Sequence, residues 1–376
     1  MSKNVIVCLS IVLSLFTTVA CKQPEHAEPP AREAHLLPIQ HYGDALHMQD
    51  KQKELYSFIV NKLSGSSGIH TNYRDTSQAA EMATGHEVLS ESAGLMMRYY
   101  ALTGQQDAFD QEWAKAQRSF NLSAGFSYRF SPKQQKKYTL NAAVDDLRII
   151  RALYEAGEAF KNERYVKEGA TYGSRLYEHN VKAGYLYDFY DETYQITNDF
   201  VTLCYIDLAT LRLLPLDSKQ QEQLYGNMLG IAKNGYLSDH FPFYETRYQY
   251  KTNAYSSDNI NTVESLITIL SLAEVNQHNK ASIQYIKKQV KAGTLYGQYT
   301  REGKPTNNIQ STAIYAIAAM IGAELGDKSL YEDSIRRMNL FQVEDRDSHL
   351  QGGFGDTASE QAFSFDNLMA LLAYAY

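Results

Sequence analysis

The chain has 376 residues, a formal net charge of −7 and 29 tyrosines beside a single tryptophan. A chain of this length can bury one large core, and its acidic balance without a basic stripe excludes nucleic acid as a partner. Its three cysteines and ten scattered histidines show no spacing typical of a zinc site. We therefore expect a monomer that needs neither a metal nor another cofactor.

The N-terminus has the pattern of a targeting segment. Residues 1–20 begin with a positive charge at Lys3 and continue as an apolar run too short for a membrane span. Small residues then precede Cys21 in a pattern that resembles the lipobox of bacterial lipoproteins, in which that cysteine is lipidated. Residues 21–42 are rich in proline and charge and are typical of a flexible tether. The resemblance implies anchoring to the outer face of the cell membrane, or secretion if the lipobox is not used.

Helical periodicity recurs along residues 43–376, in pairs of segments joined by short turns and separated by long loops. The first helix of each pair is the more apolar, which predicts an inner position. The fold class expected is all-α: an (α/α)6 barrel of six helical hairpins, with short β-hairpins in the loops at the active-site end. A generic solenoid of similar hairpins is the alternative. The expected pairs are 84–103 with 106–121, 141–159 with 163–178, 199–214 with 218–234, 258–275 with 280–292, 308–325 with 328–340, and 47–64 with 358–375.

Polar residues stand where each inner helix is expected to begin. Singly they are typical of helix caps, but inner-helix starts share one end of a barrel, so together they predict a mouth lined by carboxylates. The loops at that end are rich in tyrosine, a residue suited to stacking on sugar rings, and Tyr185 and Tyr255 are the best candidates. The polar pairs are Ser90-Glu91, Asp145-Asp146, Asn198-Asp199, Ser257-Asp258, Asn307-Asn308 and Ser359-Glu360.

Three motifs in this order resemble glycoside hydrolase family 8. Residues 88–97 (Val-Leu-Ser-Glu-Ser-Ala-Gly-Leu-Met-Met), with Phe-Asp-x-x-Trp at 109–113, resemble its first signature. Residues 145–153 resemble its Asp-x-Asp-Leu helix, and Tyr-Ser-Ser-Asp at 255–258 resembles its Tyr-x-Tyr-Asp-Ala motif. The resemblance covers most of residues 47–376 and implies an (α/α)6 barrel that hydrolyses a polysaccharide.

The resemblance also implies roles for individual residues. Glu91 would be the general acid that protonates the departing oxygen, and Asp258 the general base that activates water on the opposite face of the sugar, with inversion. Asp145 or Asp146 would hold the sugar at the point of cleavage. Further candidates for substrate binding are Asp199, Tyr185, Tyr255 and Arg247.

The chain departs from the family pattern at several positions. Ser92 and Ala93 replace a Gly-Gln pair after the acid, and Asn261 stands where an arginine is usual near the base. These departures argue against ordinary cellulase or xylanase specificity. They resemble a divergent branch of lipoproteins found with exopolysaccharide synthesis genes in Gram-positive bacteria, so the expected activity is internal cleavage of a β-linked exopolysaccharide outside the membrane.

Two other functions remain compatible with these residues. One is a glycan-binding surface lipoprotein whose catalytic site has decayed, which would explain the lost Gly-Gln and arginine. The other is a polysaccharide lyase on the same fold, with His240 or Tyr244 as base beside Arg247. A lyase would leave Glu91 and Asp258 without a role.

Overall fold

The computed structural model describes residues 36–38 and 40–376, so the expected signal peptide and Cys21 lie outside the described residues. This part of the chain is mostly helical. None of its helices is long and apolar enough to cross a membrane. The helices are α1 (Tyr42–Ala45), α2 (Gln49–Lys62), α3 (Ser90–Leu102), α4 (Gln106–Phe120), α5 (Ala143–Ala159), α6 (Glu163–Asn180), α7 (Leu208–Leu211), α8 (Ser218–Asn234), α9 (Thr262–Glu274), α10 (Lys280–Ala292), α11 (Thr312–Glu324), α12 (Lys328–Asn339) and α13 (Ser364–Ala375), with a 3₁₀ helix at Leu203–Tyr205.

Short antiparallel strands occupy the connections between helices and form sheets of two or three strands. The sheet that matters most for the site has the order β10-β11-β12, and a second three-stranded sheet has the order β3-β4-β5. The strands are β1 (Ser64–Gly65), β2 (Gly68–Ile69), β3 (Val88–Leu89), β4 (Arg129–Ser131), β5 (Lys136–Lys137), β6 (Val181–Lys182), β7 (Tyr185–Leu186), β8 (Tyr190–Asp191), β9 (Ile196–Thr197), β10 (Phe200–Thr202), β11 (Arg247–Gln249), β12 (Ala254–Ser256), β13 (Ile260–Asn261) and β14 (Gln298–Tyr299).

The more apolar helices contact one another in a closed order. Helix α3 packs against α5 and α13, α13 against α11, α11 against α9, and the segment 203–211 joins α9 back to α5. Helix α11 shows why these helices lie inside: residues 313–321 are all buried, as expected of a helix that is apolar on every side. The more polar helices α4, α6 and α12 pack outside α3, α5 and α11, and α2 packs against α13 as the first and last segments were expected to do.

One predicted inner helix is wrong. The apolar run expected as a helix over residues 199–214 forms β10, the 3₁₀ helix and the four-residue α7 instead. Phe200, Val201 and Thr202 are aromatic or β-branched and pair with residues 247–249 of β11, far away in the chain. A short apolar run can form either a strand or a helix. Here pairing with strand β11 makes residues 200–202 a strand. The change leaves one position of the closed order without a full helix.

A network of buried charges ties together the C-terminal ends of the inner helices. Arg98 of α3 donates to Glu155 of α5 through Nε (3.0 Å) and Nη2 (2.9 Å). Arg151 donates to the same carboxylate at 2.9 Å and lies 2.7 Å from Glu274 of α9. Arg98 also donates to the hydroxyl of Tyr376 after α13 (3.2 Å). Burial raises the pKa of Glu274, and Arg151 opposes that rise. Four inner helices are thereby joined by charged groups shielded from water.

Replacing Arg151 by methionine should therefore destabilise the fold strongly. The variant leaves Glu155 and Glu274 buried without their shared cation, a change that typically costs about 3–5 kcal/mol. Urea unfolding followed by circular dichroism measures the free energy of unfolding. Arg336→Met is the control, because Arg336 pairs with Asp333 on the surface (2.8 Å, 72% exposed arginine) and such pairs contribute about 0–1 kcal/mol. Equal losses in the two variants would contradict the importance of the network.

Candidate active site

Helices α3 and α5 lie in close contact near their N-terminal ends because α3 carries a glycine where they meet. A Cβ at Gly94 would lie 2.9 Å from the Cβ of Arg148 and 3.2 Å from the backbone nitrogen of Ile149. Contacts under about 3 Å force a neighbour to move, and here the nearest atoms belong to the helix and its Cβ rather than to a flexible tip. The glycine thus allows Arg148 to lie directly beside the start of α3.

Arg148 bridges the two carboxylates expected at these helix starts. Its Nη1 donates to Oε2 of Glu91 (3.0 Å) and to Oδ1 of Asp145 (2.8 Å). Ser90 Oγ donates to the other oxygen of Asp145 at 3.4 Å. Glu91 keeps 23% of its side chain exposed, whereas Asp145 keeps 9%. Glu91 is therefore the member of the pair more accessible to a ligand.

The environment of Asp145 favours a retained proton. Burial raises the pKa of Asp145 to about 7, the positive charge of Arg148 opposes the rise, and the negative charge of Glu91 adds to it. Near pH 7 the buried carboxyl of Asp145 can therefore still hold its proton.

Asp146 has a different environment from Asp145. Its carboxylate accepts hydrogen bonds from Asn141 Nδ2 (2.8 Å) and from the backbone N–H of Phe126 (3.2 Å). A Cβ at Gly125 would lie 2.2 Å from Oδ2 of Asp146, so the loop backbone closes over this side chain. Of the two aspartates left open by the sequence, Asp145 is the one that the structure brings to Glu91.

Further carboxylates lie beside the β10-β11-β12 sheet. Asp188 accepts from the backbone N–H (2.7 Å) and Oγ1 (2.6 Å) of Thr202 in β10, and burial raises its pKa to about 6. Burial also raises the pKa of Glu264 in the first turn of α9, while Arg247 lowers it. Burial raises the pKa of the half-buried Tyr205 in the 3₁₀ helix, and the negative charges of Asp145 and Asp188 add to the rise.

Sequence reasoning missed three of these groups: Arg148, Asp188 and Glu264. Arg148 and Glu264 had a signal, since each is a charge close to the start of an apolar inner helix. Asp188 had no such signal, because its position depends on hydrogen bonds from Thr202, which lies in a strand that was expected to be a helix. Within residues 36–38 and 40–376, no cluster of three or more histidine, cysteine, aspartate or glutamate side chains is arranged to hold a metal ion.

Asp258 lies on an exposed bend between β12 and β13, four residues before α9 begins. The preceding Ser257 donates to Glu245 (2.6 Å) and accepts from the backbone N–H of Thr246 (2.7 Å), which ties this bend to the neighbouring loop. Asn261, which stands in place of an arginine in the family pattern, caps α9 by accepting from the backbone N–H of Glu264 (3.3 Å). The expected base is thus at the N-terminus of an inner helix, on a loop whose neighbours are held in place.

The other candidates divide between two faces of the β10-β11-β12 sheet. The guanidinium of Arg247 lies over the ring of Phe200 (4.8 Å), on the face that carries Thr202. Successive strand residues alternate in direction, and Tyr255, paired with Tyr248, lies on the opposite face. Its hydroxyl donates to the carbonyl of Ile231 in α8 (2.7 Å).

Two further candidates are placed outside the Glu91 cluster. Asp199 forms an exposed ion pair with Lys251 (2.8 Å) and begins no helix, because residues 200–202 are a strand. Tyr185 packs against Tyr250 with ring centroids 5.4 Å apart. The structure therefore brings Asp145 to Glu91, but leaves Asp199, Tyr185 and Tyr255 elsewhere.

The chain is similar to carbohydrate-active enzymes, although no family model matches it. A solved structure described as a novel alpha-amylase from Clostridium perfringens is 33% identical, with a TM-score of 0.80 over 86% of this chain and 97% of that one. The Bacillus subtilis (strain 168) protein named "Putative lipoprotein YdaJ" is 28% identical over 326 residues, which is 84% of each chain. A GH8 xylanase from Teredinibacter turnerae is 11% identical but has a TM-score of 0.65 over 90% of this chain and 95% of its own.

The relative from Clostridium perfringens is similar along almost its whole length, and the xylanase shows that the fold is one used by GH8 enzymes. The three sequence motifs lie at the starts of inner helices or just before them. The chain belongs to the same family as the Clostridium perfringens protein, and it has the fold of GH8 enzymes.

Proposed function

We propose that the chain is an inverting glycoside hydrolase built on an (α/α)6 barrel, which cleaves a β-linked exopolysaccharide internally outside the cell membrane. The observation that carries the proposal is the contact of Glu91 and Asp145 with one nitrogen of Arg148, at the adjoining starts of two inner helices. A partly exposed carboxyl beside a buried one that retains a proton is the arrangement expected of a general acid and its partner.

In this mechanism Glu91 donates its proton to the departing glycosidic oxygen. The negative charge left on Glu91 is stabilised by Arg148, which already lies 3.0 Å from Oε2 and needs no rearrangement. Asp145, protonated near neutral pH, donates a hydrogen bond to a hydroxyl of the sugar at the cleavage point. Arg148 thus contacts Glu91, the carboxyl group that becomes negatively charged during the reaction.

Asp258 is the proposed base, activating a water molecule on the opposite face of the sugar ring. Inversion requires room for that water between the two carboxyl groups, roughly 6.5–9.5 Å. The exposed position of Asp258 allows it to be solvated in the free enzyme and to meet substrate across the groove. Glu264, nearby in the first turn of α9, is the competing residue for this role.

A second candidate substrate is an α-linked glucan. It is favoured by one observation, the description of the 33% identical relative as an alpha-amylase. The residues around Glu91 serve acid-assisted cleavage of either linkage, so substrate trials must include both classes.

The proposed cellular location of the enzyme rests on the sequence of its N-terminal segment and on one relative. We propose a signal peptide over residues 1–20, a lipidated Cys21 with a tether to residue 42, and a monomeric catalytic domain over residues 43–376. The lipoprotein name of the Bacillus subtilis relative supports the anchor.

Replacing Glu91 by glutamine should lower turnover by roughly a hundred- to ten-thousand-fold, because the variant cannot donate the proton while its shape is kept. Reducing-end release is measured on a panel of soluble starch, mixed-linkage β-glucan, xylan and chitosan, with thermal unfolding as the control for folding. Release that persists in Glu91→Gln would contradict the acid assignment. Binding without release in the unaltered chain would favour the decayed glycan-binding protein, and an unsaturated product would favour a lyase.

Replacing Asp258 by asparagine should lower kcat by a similar factor, because the water is no longer deprotonated. Glu264→Gln is the matched variant and should change KM more than kcat, since we assign Glu264, which is close enough to Arg247 to feel its charge, to substrate binding. Both are compared by steady-state kinetics on whichever panel polymer is cleaved. Loss of kcat in Glu264→Gln alone would transfer the role of base to Glu264.

Activity should fall as the pH rises through about 7, because the buried carboxyl of Asp145 then loses the proton with which it hydrogen-bonds the sugar. Asp145→Asn keeps a hydrogen-bond donor of the same shape but cannot titrate. The basic limb of the kcat profile near pH 7 should therefore disappear in this variant. A uniform loss of kcat at every pH, with the limb unmoved, would show that Asp145 has only a structural role.

A further inference from the structure

An open cavity of about 410 Å³ lies between helix α8 and the β10-β11-β12 sheet. It is lined on the sheet side by Tyr248, Asn253 and Tyr255, and on the other side by residues of α8 and by Tyr185. Because Tyr248 and Tyr255 alternate with Arg247 and Ser256 along their strands, the cavity lies behind the face that carries Arg247. It is thus separate from the groups around Glu91.

The lining has the chemistry of a site for a neutral sugar chain. Three tyrosine rings supply rigid apolar faces, and the side chains of Asn227, Asn234 and Asn253 supply amide donors and acceptors for hydroxyl groups. Each described residue that lines the cavity is uncharged, in contrast to the carboxylates of the mouth. Its volume is within the range of small-molecule sites, roughly 300–1,000 Å³.

The tyrosine rings are held in place by bonds within the protein. The hydroxyl of Tyr255 donates to the carbonyl of Ile231 (2.7 Å), and that of Tyr248 donates to Oδ1 of Asn253 (3.2 Å). The two rings lie 5.0 Å apart between centroids. Fixed rings lose little freedom when a ligand stacks on them, which favours binding.

Two glycines of α8 leave the helix backbone accessible at the floor of the cavity. Gly226 and Gly230 are one turn apart, both line the cavity, and a Cβ at either would meet no heavy atom within 4 Å. Neither has a positive φ, so neither backbone conformation nor internal packing requires glycine here. Glycine is a poor helix former, and its presence twice on one face is explained if a ligand approaches the helix backbone.

From the fixed rings, the uncharged amides and the bare helix floor, we propose that this cavity is a second carbohydrate-binding site, which holds a neutral stretch of the polysaccharide outside the catalytic groove. The inference rests on the proposed function for the class of ligand, and it assigns to Tyr185 and Tyr255 a role in holding the polymer rather than in cleavage.

The test fills the cavity without disturbing the fold. The double variant Gly226→Gln/Gly230→Gln places two side chains in open space on a helix, so it should unfold at the same temperature as the unaltered chain or a higher one. Glu222→Gln is the matched control, since it introduces the same side chain one turn earlier on α8, at an exposed position outside the lining. Binding of the full chain is measured by its retardation in native gels that contain soluble starch, mixed-linkage β-glucan or xylan.

We expect retardation in at least one gel, weakened about tenfold or more by the filled cavity and unchanged by Glu222→Gln. Glu91→Gln should bind like the unaltered chain, and the filled variant should hydrolyse short oligosaccharides at the unaltered rate. No retardation in any gel, or equal retardation with the cavity filled, would overturn the site. Cavity-dependent retardation in a chain that releases no reducing ends would instead contradict the hydrolase and leave the site standing.

Discussion

The absence of a side chain at Gly94 lets α3 and α5 approach so closely that Arg148 of one helix lies against the first turn of the other. Every feature of the candidate catalytic pair depends on this approach. Arg148 reaches Glu91 and Asp145 with a single nitrogen, and the buried carboxyl of Asp145 retains a proton beside it. A helix pair separated by ordinary side chains would leave these charges further apart and more hydrated, with weaker coupling.

The two ends of the inner helices use charge in opposite ways. At the C-terminal ends, Arg98 and Arg151 share Glu155 away from water, and the groups are saturated by one another. At the N-terminal ends, Glu91 remains partly exposed and Asp258 lies on the surface. The closed end holds the helices together, while the open end keeps carboxylates available to a ligand. Both ends are built from residues of the inner helices or of the segments directly before them, so rigidity at one end supports geometry at the other.

Local pattern was sufficient to predict most of the helices and several of their pairs, since α3–α4, α5–α6, α11–α12 and α2–α13 are in contact as expected. The outer helix α10 begins and ends where its periodicity predicted, but it packs against α12, although it was expected to pair with α9. The inner helices α3, α5, α9, α11 and α13 begin two to six residues later than expected. What failed was non-local: residues 199–214 are apolar enough for a helix, but strand β11 pairs with their first part. The positions of Asp188 and Tyr255 depend on that sheet. Sequence analysis therefore named Tyr255 as a candidate for substrate binding without its neighbours, and it missed Asp188. Gly94 lay within a recognised motif, yet only the helix contact explains it.

The β10-β11-β12 sheet also determines which changes of length the chain can tolerate. Because side chains alternate between the two faces, inserting or deleting one residue within β11 would exchange Arg247 with Tyr248 and send an aromatic ring into the groove and a charge into the cavity behind it. An insertion or deletion of two residues would restore the alternation of side chains between the two faces. The turn at residues 250–253 and the loop before β10 lie outside this constraint. Natural variation in chain length among related proteins should therefore be confined to those connections, or occur in pairs of residues within the strands.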